Sequence, residues 1–489
     1  MLDLGASLHE ILTHIHSSKS TYPQIDVHYD KTNPLTIPVV VSLPQNGFRL
    51  RFDGADQRLR LIEVTDFVKA KCTYKGSELV KHAQREVGPA FKRVYQYFNA
   101  TYPGEYHPPR NADRNGQYVL SWAGIAFTFP LQHEAWSPQK DHISLLSSSA
   151  AAPATTMAIF EGTSWPEVRH NLFIRQPSAP RLSAVASRTK VNIPAEIEVA
   201  NILSTEGRIE LLRRAPAAPF TVILNQTTQQ DLITELGPPD ATHRRESDFL
   251  PSPEQPLHNG AGSMTNGRPQ ADGRGSQPSS YSSTGTDTFD ADFDSGDADE
   301  DPTEHSSRKI FWCYFNHGMD ILIGPPSDDA SSALRFGDET ELQRTPLAAS
   351  PHLVVTKVIL HGNVPGSYAF NRHRRLCWTL PFANTEYLEA PLDSETKFDD
   401  LKAALLHILG SDESGGQQMG KGKVVNRTWG GGSVGGGMSE SGFFLPDAEK
   451  DLVEGSGSES WLGNTRLFAF PALAFEVCEN GSVAGVTVY

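Results

Sequence analysis

The fold of this chain is decided by three stretches, Ser7-Leu-His-Glu-Ile-Leu-Thr-His-Ile-His16, Gly47-Phe-Arg-Leu-Arg-Phe-Asp53 and Gln57-Arg-Leu-Arg-Leu-Ile-Glu-Val64. In the first, apolar residues recur at helical spacing, and Ser7 with Glu10 predicts a capping box at the start of the helix. In the other two, apolar and polar residues alternate, which predicts two strands of a hairpin with one buried face. Together the three stretches predict one α-β-β unit.

Three later stretches resemble the first strand of that hairpin. They are Gly124-Ile-Ala-Phe-Thr-Phe129, Gly318-Met-Asp-Ile-Leu-Ile323 and Leu473-Ala-Phe-Glu-Val477. The second is followed by Thr356-Lys-Val-Ile-Leu360 and the third by Val483-Ala-Gly-Val-Thr-Val-Tyr489, which predict the partner strands. Because internal repeats fix an architecture, we expect the unit to occur four times.

A predicted helix precedes each repeat. Pro89 suits the first turn of the second helix, whose apolar stripe ends at Phe98. Thr227 opens the third helix, which Gly237 ends, and Thr396 caps the fourth. Helices beside short antiparallel hairpins predict an α+β fold with two halves.

Two long insertions interrupt the second half. One is rich in Asp, Ser, Gly and Pro and the other in Gly, so both are expected to be disordered. Strand patterns between the second and third repeats are expected to bridge the halves. The predicted segments are 1–175 (two α-β-β units), 190–243 with 308–382 (bridging strands and the third unit), 244–307 (acidic insertion), 392–410 with 464–489 (fourth unit) and 411–463 (Gly-rich insertion).

Composition argues against nucleic acid as a partner. The formal net charge is −15, and nine of the carboxylates lie between residues 287 and 304, inside the acidic insertion. The four cysteines lie far apart without a Cys-x-x-Cys pair, which indicates core residues in a reducing compartment. No stretch approaches the roughly 18 consecutive apolar residues of a spanning helix, and no secretion signal is recognisable. We therefore expect a cytoplasmic protein that contacts membranes only peripherally.

Near-matches to catalytic and metal motifs all fail in their context. Gly415-Gly-Gln-Gln-Met-Gly-Lys421 lacks the last residue of a phosphate loop, and Gly431-Gly-Ser-Val-Gly435 lies in a glycine-rich segment that cannot form a strained nucleophile turn. The acidic run at Asp290 lacks the turn glycine of a calcium loop. His14 lies one position beyond the place of the second histidine in a zinc-protease helix. No catalytic residue, metal, cofactor or small-molecule substrate is predicted.

Two groups of polar residues are candidates for a partner or anionic-lipid surface. The basic stripe on the first hairpin is either a solvated strand face or an anionic docking face. The residues around Val364-Pro-Gly-Ser-Tyr368 form either a partner or headgroup contact or a strand-end turn. The candidates are Arg49, Arg51, Arg58, Arg60, His361, Asn363, Tyr368, Asn371, Arg372 and Arg374.

Several blocks carry a resemblance to a known family. In addition to the first hairpin they are Ala100-Thr-Tyr-Pro-Gly-Glu-Tyr106, Tyr314-Phe-Asn-His-Gly-Met-Asp-Ile-Leu322 and Leu360-His-Gly-Asn-Val-Pro-Gly-Ser-Tyr-Ala-Phe-Asn371. The chain resembles the phagophore assembly factor family, in particular a fungal member. The resemblance covers nearly all of the chain outside the two insertions. It also implies that relatives begin with one more strand before Leu4, so the gene product as given is expected to be truncated and its first sheet to lack an edge partner.

The resemblance implies a non-enzymatic adaptor in autophagy. Such a protein is expected to pair with a WD-repeat β-propeller protein and to be recruited from the cytoplasm to the preautophagosomal, or phagophore, membrane, where the pair is associated with phosphoinositide binding. The alternative is a trafficking factor that acts between the Golgi or endosomes and the plasma membrane. A third hypothesis, an enzyme, would need a closed pocket assembled from His361, Asn363, Asp320 and Arg374.

Overall fold

The computed structural model describes residues 2–81, 85–98, 104–109, 114–174, 194–244, 309–326, 353–381, 392–408, 422–425 and 465–489. The compact unit described below comprises Met1–His243 with Ile310–Tyr489. Almost all of both predicted insertions lies outside the described residues, as do the motifs at 290, 415–421 and 431–435. The Gly-rich insertion was predicted to be disordered throughout, and this is wrong at Lys423–Val425, which form a strand.

The helices and strands of the compact unit are short. Helices are α1 Leu8–Ser17, α2 Phe91–Phe98, α3 His142–Leu146, α4 Trp165–Val168, α5 Gln229–Leu236 and α6 Phe398–Ile408. Strands are β1 Asp26–His28, β2 Val39–Leu43, β3 Phe48–Phe52, β4 Leu59–Val64, β5 Thr73–Tyr74, β6 Ser77–Glu78, β7 Glu105–His107, β8 Asn115–Trp122, β9 Ile125–Gln132, β10 Thr156–Phe160, β11 Ile197–Leu203, β12 Arg208–Arg213, β13 Phe220–Ile223, β14 Ala241–Arg244, β15 Ile310–Tyr314, β16 Met319–Gly324, β17 Val354–His361, β18 Cys377–Leu380, β19 Leu392–Asp393, β20 Lys423–Val425, β21 Thr465–Phe470, β22 Leu473–Val477 and β23 Val483–Val488.

Four modules, each a helix followed by four strands that are neighbours in chain order, account for most of the described residues. They are module 1 (α1, β1–β4), module 2 (α2, β7–β10), module 3 (α5, β14–β17) and module 4 (α6, β20–β23). Modules 1 and 2 join into an eight-stranded sheet in the order β1-β2-β3-β4-β10-β9-β8-β7. Modules 3 and 4 join in the same way, as β14-β15-β16-β17-β23-β22-β21-β20. The second half therefore repeats the topology of the first.

Turn geometry supports the same duplication. Modules 1 and 3 have a four-residue turn before their third strand, and in both it ends in a glycine with positive φ, Gly47 at 72° and Gly318 at 76°. The Gly47 carbonyl accepts the backbone N–H of Thr65, the residue just after the fourth strand of module 1, at 2.9 Å. The Gly318 carbonyl accepts that of His361, the last residue of the fourth strand of module 3, at the same distance. Modules 2 and 4 have two-residue turns in the corresponding place.

The α+β class and the antiparallel pairing predicted from the sequence are confirmed, but the α-β-β unit is not. The four repeated strands recognised in the sequence are β3, β9, β16 and β22, the third strand of every module. Two additional strands precede each of them. The missing strands include β1, β7 and β20, each of three residues, which is too short for a period-two pattern to stand out.

The four predicted helices are present, and Ser7 caps the first as predicted, but the other three begin one or two residues later than the sequence indicated. The Ser7 side chain accepts the backbone N–H of Glu10 at the start of α1. Helix α5 is capped by Thr228 and not by Thr227, and its capping box uses Asp231. These differences are within the usual uncertainty of helix ends.

The second half has one continuous core. Helices α5 and α6 share it with the second eight-stranded sheet and with a five-stranded sheet in the order β13-β12-β11-β18-β19. The strands β11–β13 occur where the sequence predicted them, and their buried apolar side chains enter this core. In the first half, α1 packs on β2 and β3, and α2 packs on β8 and β9.

The cysteines behave as apolar residues. All four are free thiols, and Cys313 is buried. Burial raises the pKa of the Cys72 thiol to about 11 and that of the Cys478 thiol to about 12. Thiols with such pKa values carry almost no thiolate at neutral pH, so they are poor nucleophiles.

Candidate functional site

The turn between β3 and β4 is organised by one buried carboxylate. Asp53 accepts the backbone N–H groups of Asp56 at 2.6 Å and Gln57 at 3.1 Å through Oδ1, and that of Arg58 at 3.2 Å through Oδ2. Arg60 Nε donates to the same Oδ2 at 2.6 Å. These bonds hold Gln57 in a left-handed conformation with φ 53°.

Gln57 joins the first half to the second. Its Nε2 donates to the carbonyl of Asn363 at 2.9 Å, and Asn363 Nδ2 donates to Gln57 Oε1 at 2.7 Å. Asn363 Oδ1 in turn accepts the backbone N–H of Asn371 at 2.6 Å. Each of these three side chains is buried. Asn363 and Asn371 therefore lie inside the molecule and not on the partner surface that the sequence analysis predicted for them.

Further contacts follow the same junction between the halves. Nδ1 of His9 in α1 donates to the carbonyl of Asn371 at 3.1 Å, and Phe370 packs against the core around α1. Arg375 donates to the backbone carbonyl of Ala55 in the first half and to that of Gly362 at 2.8 Å in the second. Much of the block that carries the resemblance after Leu360 is thus used for internal packing.

A second part of the junction is ionic. Glu196 pairs with Arg374 at 2.7 Å, with Arg214 at 3.2 Å, and also with Arg58. Burial raises the pKa of Glu196, but the surrounding guanidinium groups of Arg374 and Arg58 outweigh burial and leave it below its usual value. Burial lowers the pKa of Arg374 to about 10, so the group still carries its charge at neutral pH. Arg58 and Arg374 are each only 7% exposed, which removes them from any docking face.

The predicted basic stripe is consequently divided. Arg58 and Arg60 are buried ion-pair residues, because a bulge between Arg51 and the following residue changes the alternation of the two strands. Arg49 and Arg51 remain partly exposed on β3 and both approach Glu63 on β4, at 3.8 and 2.8 Å. This face of the first sheet therefore presents two partly exposed arginines that share one carboxylate.

The Val364-Pro-Gly-Ser-Tyr368 turn forms one wall of a cleft. Arg372 lies over the ring of Tyr368 at 4.3 Å, and both side chains are half-buried. Tyr29 of the first half closes against Gly366, where an added Cβ would lie 2.6 Å from the phenol oxygen. The cleft has a volume of about 280 Å³ and includes Asn480 from module 4. Its walls come from both halves.

A histidine pair surrounds Asp320 in module 3. Nε2 of His361 and Nε2 of His373 donate to the two carboxylate oxygens of Asp320 at 2.9 and 2.8 Å. Burial of Asp320 disfavours its charge, but the two imidazole donors outweigh burial and hold its pKa well below the usual range. His373 was missed by the sequence analysis, and 53 positions separate it from Asp320, so no local motif could have shown the contact.

The residues of the enzyme hypothesis are only partly brought together. His361 and Asp320 are in contact, whereas Asn363 is bonded to Gln57 and Arg374 to Glu196. The alternative therefore has no four-residue constellation in the described part of the chain. Within the described ranges, none of the helices has the length and apolar character needed to span a bilayer.

Comparisons with known proteins find relatives along most of the chain. The family model described as Phagosome assembly factor 1 matches residues 1–259 and 347–489. A PHAF1 protein of Arabidopsis thaliana is 23% identical over 99% of this chain and 89% of its own length. A PHAF1 protein of Drosophila melanogaster is 27% identical over 50% of this chain and 55% of its own, and one of Caenorhabditis elegans is 28% identical over 26% and 28%. No solved structure shows significant similarity to the chain.

Proposed function

Because this chain belongs to the phagosome assembly factor 1 family, we propose that it takes part in phagosome assembly as a non-enzymatic adaptor. In this role it pairs with a WD-repeat β-propeller protein and is recruited with it to the forming autophagosomal membrane. The single observation that carries the proposal is the family match, which covers parts of all four modules. Asn363 and Arg374 are engaged in internal bonds, which removes two of the four groups that the enzyme hypothesis needs.

The membrane contact is proposed to involve phosphoinositide headgroups. Arg49 and Arg51 are neighbours on the same face of β3, with side chains 42% and 34% exposed. Since Glu63 offsets one of the two positive charges, this face attracts an anionic headgroup only weakly. We therefore expect stable recruitment to need the β-propeller partner as a second attachment point.

Live imaging of the tagged chain in fed and starved cells tests the proposal. Starvation is expected to move the chain from a diffuse distribution to puncta that also contain markers of forming autophagosomes. Puncta on the Golgi or endosomes that ignore nutrient state would contradict it and favour the trafficking alternative. A tagged chain with Gln45→Ala, a change at an exposed turn, controls for the effect of mutagenesis itself.

A further inference from the structure

Asp320, His361 and His373 come from three separate segments of module 3 and the loop after it. Asp320 lies within β16, His361 ends β17, and His373 lies in the loop before β18. One carboxylate oxygen of Asp320 and one ring nitrogen from each histidine all lie within 4.8 Å of one another. Such convergence is not explained by the pairing of the strands, because His373 belongs to neither strand.

The two imidazoles are arranged unusually. Their rings stack with centroids 3.8 Å apart and planes 13° from parallel, and each directs its Nε2 at the same carboxylate. Nδ1 of His373 is buried and has no hydrogen-bond partner among the described residues. An imidazole binds an ion in the plane of its own ring, so an ion held by both histidines requires one of the two rings to turn out of this stack.

We propose that Asp320, His361 and His373 bind one divalent transition-metal ion, with Zn²⁺ as the best match to the ligand set. Imidazole nitrogen and carboxylate oxygen are both common Zn²⁺ ligands, and a site with three protein ligands leaves one coordination position open. The N–O separations of 2.8 and 2.9 Å are those of the two histidine–aspartate hydrogen bonds, and a bound ion would replace the two N–H protons between the same groups. The open position would take water or a donor atom from a partner.

The ligands are held by backbone contacts, which a metal site needs. The N–H of His361 donates to the carbonyl of Gly318 at 2.9 Å, and the N–H of Arg374 donates to that of Phe315 at 2.9 Å. The ring of Phe315 also meets the ring of His373 edge-on, with centroids 5.0 Å apart. These contacts fix both histidines relative to Asp320.

The site can also be reached by an ion. The side chains of Asp320 and His361 are 16% and 17% exposed, whereas His373 lies deeper at 9%. The cluster therefore has one buried wall and one side toward solvent. A partly open site of this kind favours reversible binding of the ion, whereas a structural site is usually fully enclosed.

The test is a Zn²⁺ titration of the purified full chain after removal of metals with a chelator. Wild type is expected to bind one equivalent of Zn²⁺ and to gain thermal stability from it. Asp320→Asn and His361→Gln should weaken binding by more than about 10-fold, the smallest loss usually caused by removing even an outer partner of a ligand. His170→Ala removes an exposed histidine elsewhere and should bind as wild type does.

The inference is overturned if wild type binds no Zn²⁺ at low micromolar concentration, or if both variants bind it as wild type does. Zn K-edge X-ray absorption of the loaded wild type gives a readout that needs no variant. It should show a nitrogen and oxygen shell with two imidazoles. A shell that contains sulfur would also overturn the assignment, since Cys313 lies opposite Asp320 in the sheet register.

Discussion

Gln57 and Asn363 lie 306 positions apart and exchange two hydrogen bonds, at 2.9 and 2.7 Å, across the junction of the two halves. Both residues have positive φ, 53° and 44°, so each backbone is bent to bring its side chain to the other. The turn that Asp53 organises and the strand end at His361 therefore become one polar unit.

Replacing either member of the Gln57–Asn363 pair should destabilise the fold. Gln57→Ala and Asn363→Ala each leave a buried amide without its partner, which costs about 1–3 kcal/mol in the free energy of unfolding. The double variant should lose less than the sum of the two, because the second change removes a group that is already unpaired. Urea unfolding of the four proteins measures this coupling, and strictly additive losses would contradict it. The exposed-turn variant Gln45→Ala should stay within about 0.5 kcal/mol of wild type.

The corresponding glycines of modules 1 and 3 should be intolerant of alanine. At Gly47 and Gly318 an added Cβ would lie 2.4 Å from a backbone carbonyl oxygen, that of Asp66 or Arg374, and φ is positive at both. Gly76 has φ +80° but no atom within 4 Å of an added Cβ, so it is a matched control. Gly76→Ala should cost only the roughly 1–2 kcal/mol of the left-handed conformation. Thermal unfolding should show clearly larger losses for the other two variants, and equal losses in all three would refute the clash.

Stability should fall as the pH drops below neutrality. Burial lowers the pKa of His9 and of His317 below the usual 6.5 in the native protein. The positive charge of Arg374 also lowers both pKa values, whereas the negative charge of Asp240 raises them. The negative charge of Glu196 also raises the pKa of His317. The unfolded chain then binds more protons than the native one below about pH 6.5, so stability is complete above that pH and is lost as the pH falls toward the native values.

Urea unfolding between pH 7.5 and 5 measures this dependence. The double variant His9→Asn with His317→Asn should show a weaker decline than wild type, whereas His28→Asn, at an exposed position, should not change it. An unfolding midpoint that stays constant over this range would show that the buried histidines do not respond to protons as expected.

Glu63, the carboxylate that Arg49 and Arg51 share, allows two substitutions that should change vesicle binding in opposite directions. Arg49→Glu with Arg51→Glu should reduce binding of the chain and its partner to phosphoinositide-containing vesicles, because the face becomes acidic. Glu63→Gln should increase binding, since it leaves both guanidinium charges without their counter-charge. The stability changes should be small, within about 1 kcal/mol, for partly exposed pairs. Vesicle flotation at low and high salt measures the binding of both variants. Binding that stays unchanged in both would exclude this face as the lipid-binding surface.

Much of the repeat could be predicted from the sequence, because β3, β9, β16 and β22 each carry a clear alternation beside a helix with its own apolar stripe. The first strands of the modules could not, since β1 and β7 have only three residues and gain their order from neighbours in the sheet. Pairing of β4 with β10 and of β17 with β23 is a long-range choice that leaves no local pattern.

The site was harder to predict than the fold. Arginines at alternating positions of a strand are typical of a solvent-facing surface. Arg58 and Arg60 are nevertheless buried, because Glu196 and Asp53 compensate their charges. Glu196 lies 138 positions from Arg58, so the sequence gives no sign of the pair. Asn363 likewise reads as part of a surface turn until its partner in the first half is known.

The most direct test of the adaptor role is affinity capture of the tagged chain from its own starved cells, with quantification of bound proteins by mass spectrometry. The account predicts a WD-repeat β-propeller protein at close to one copy per chain, and the same partner with the Gln45→Ala control. Capture of coat or tethering proteins alone, with no β-propeller protein near that ratio, would contradict it.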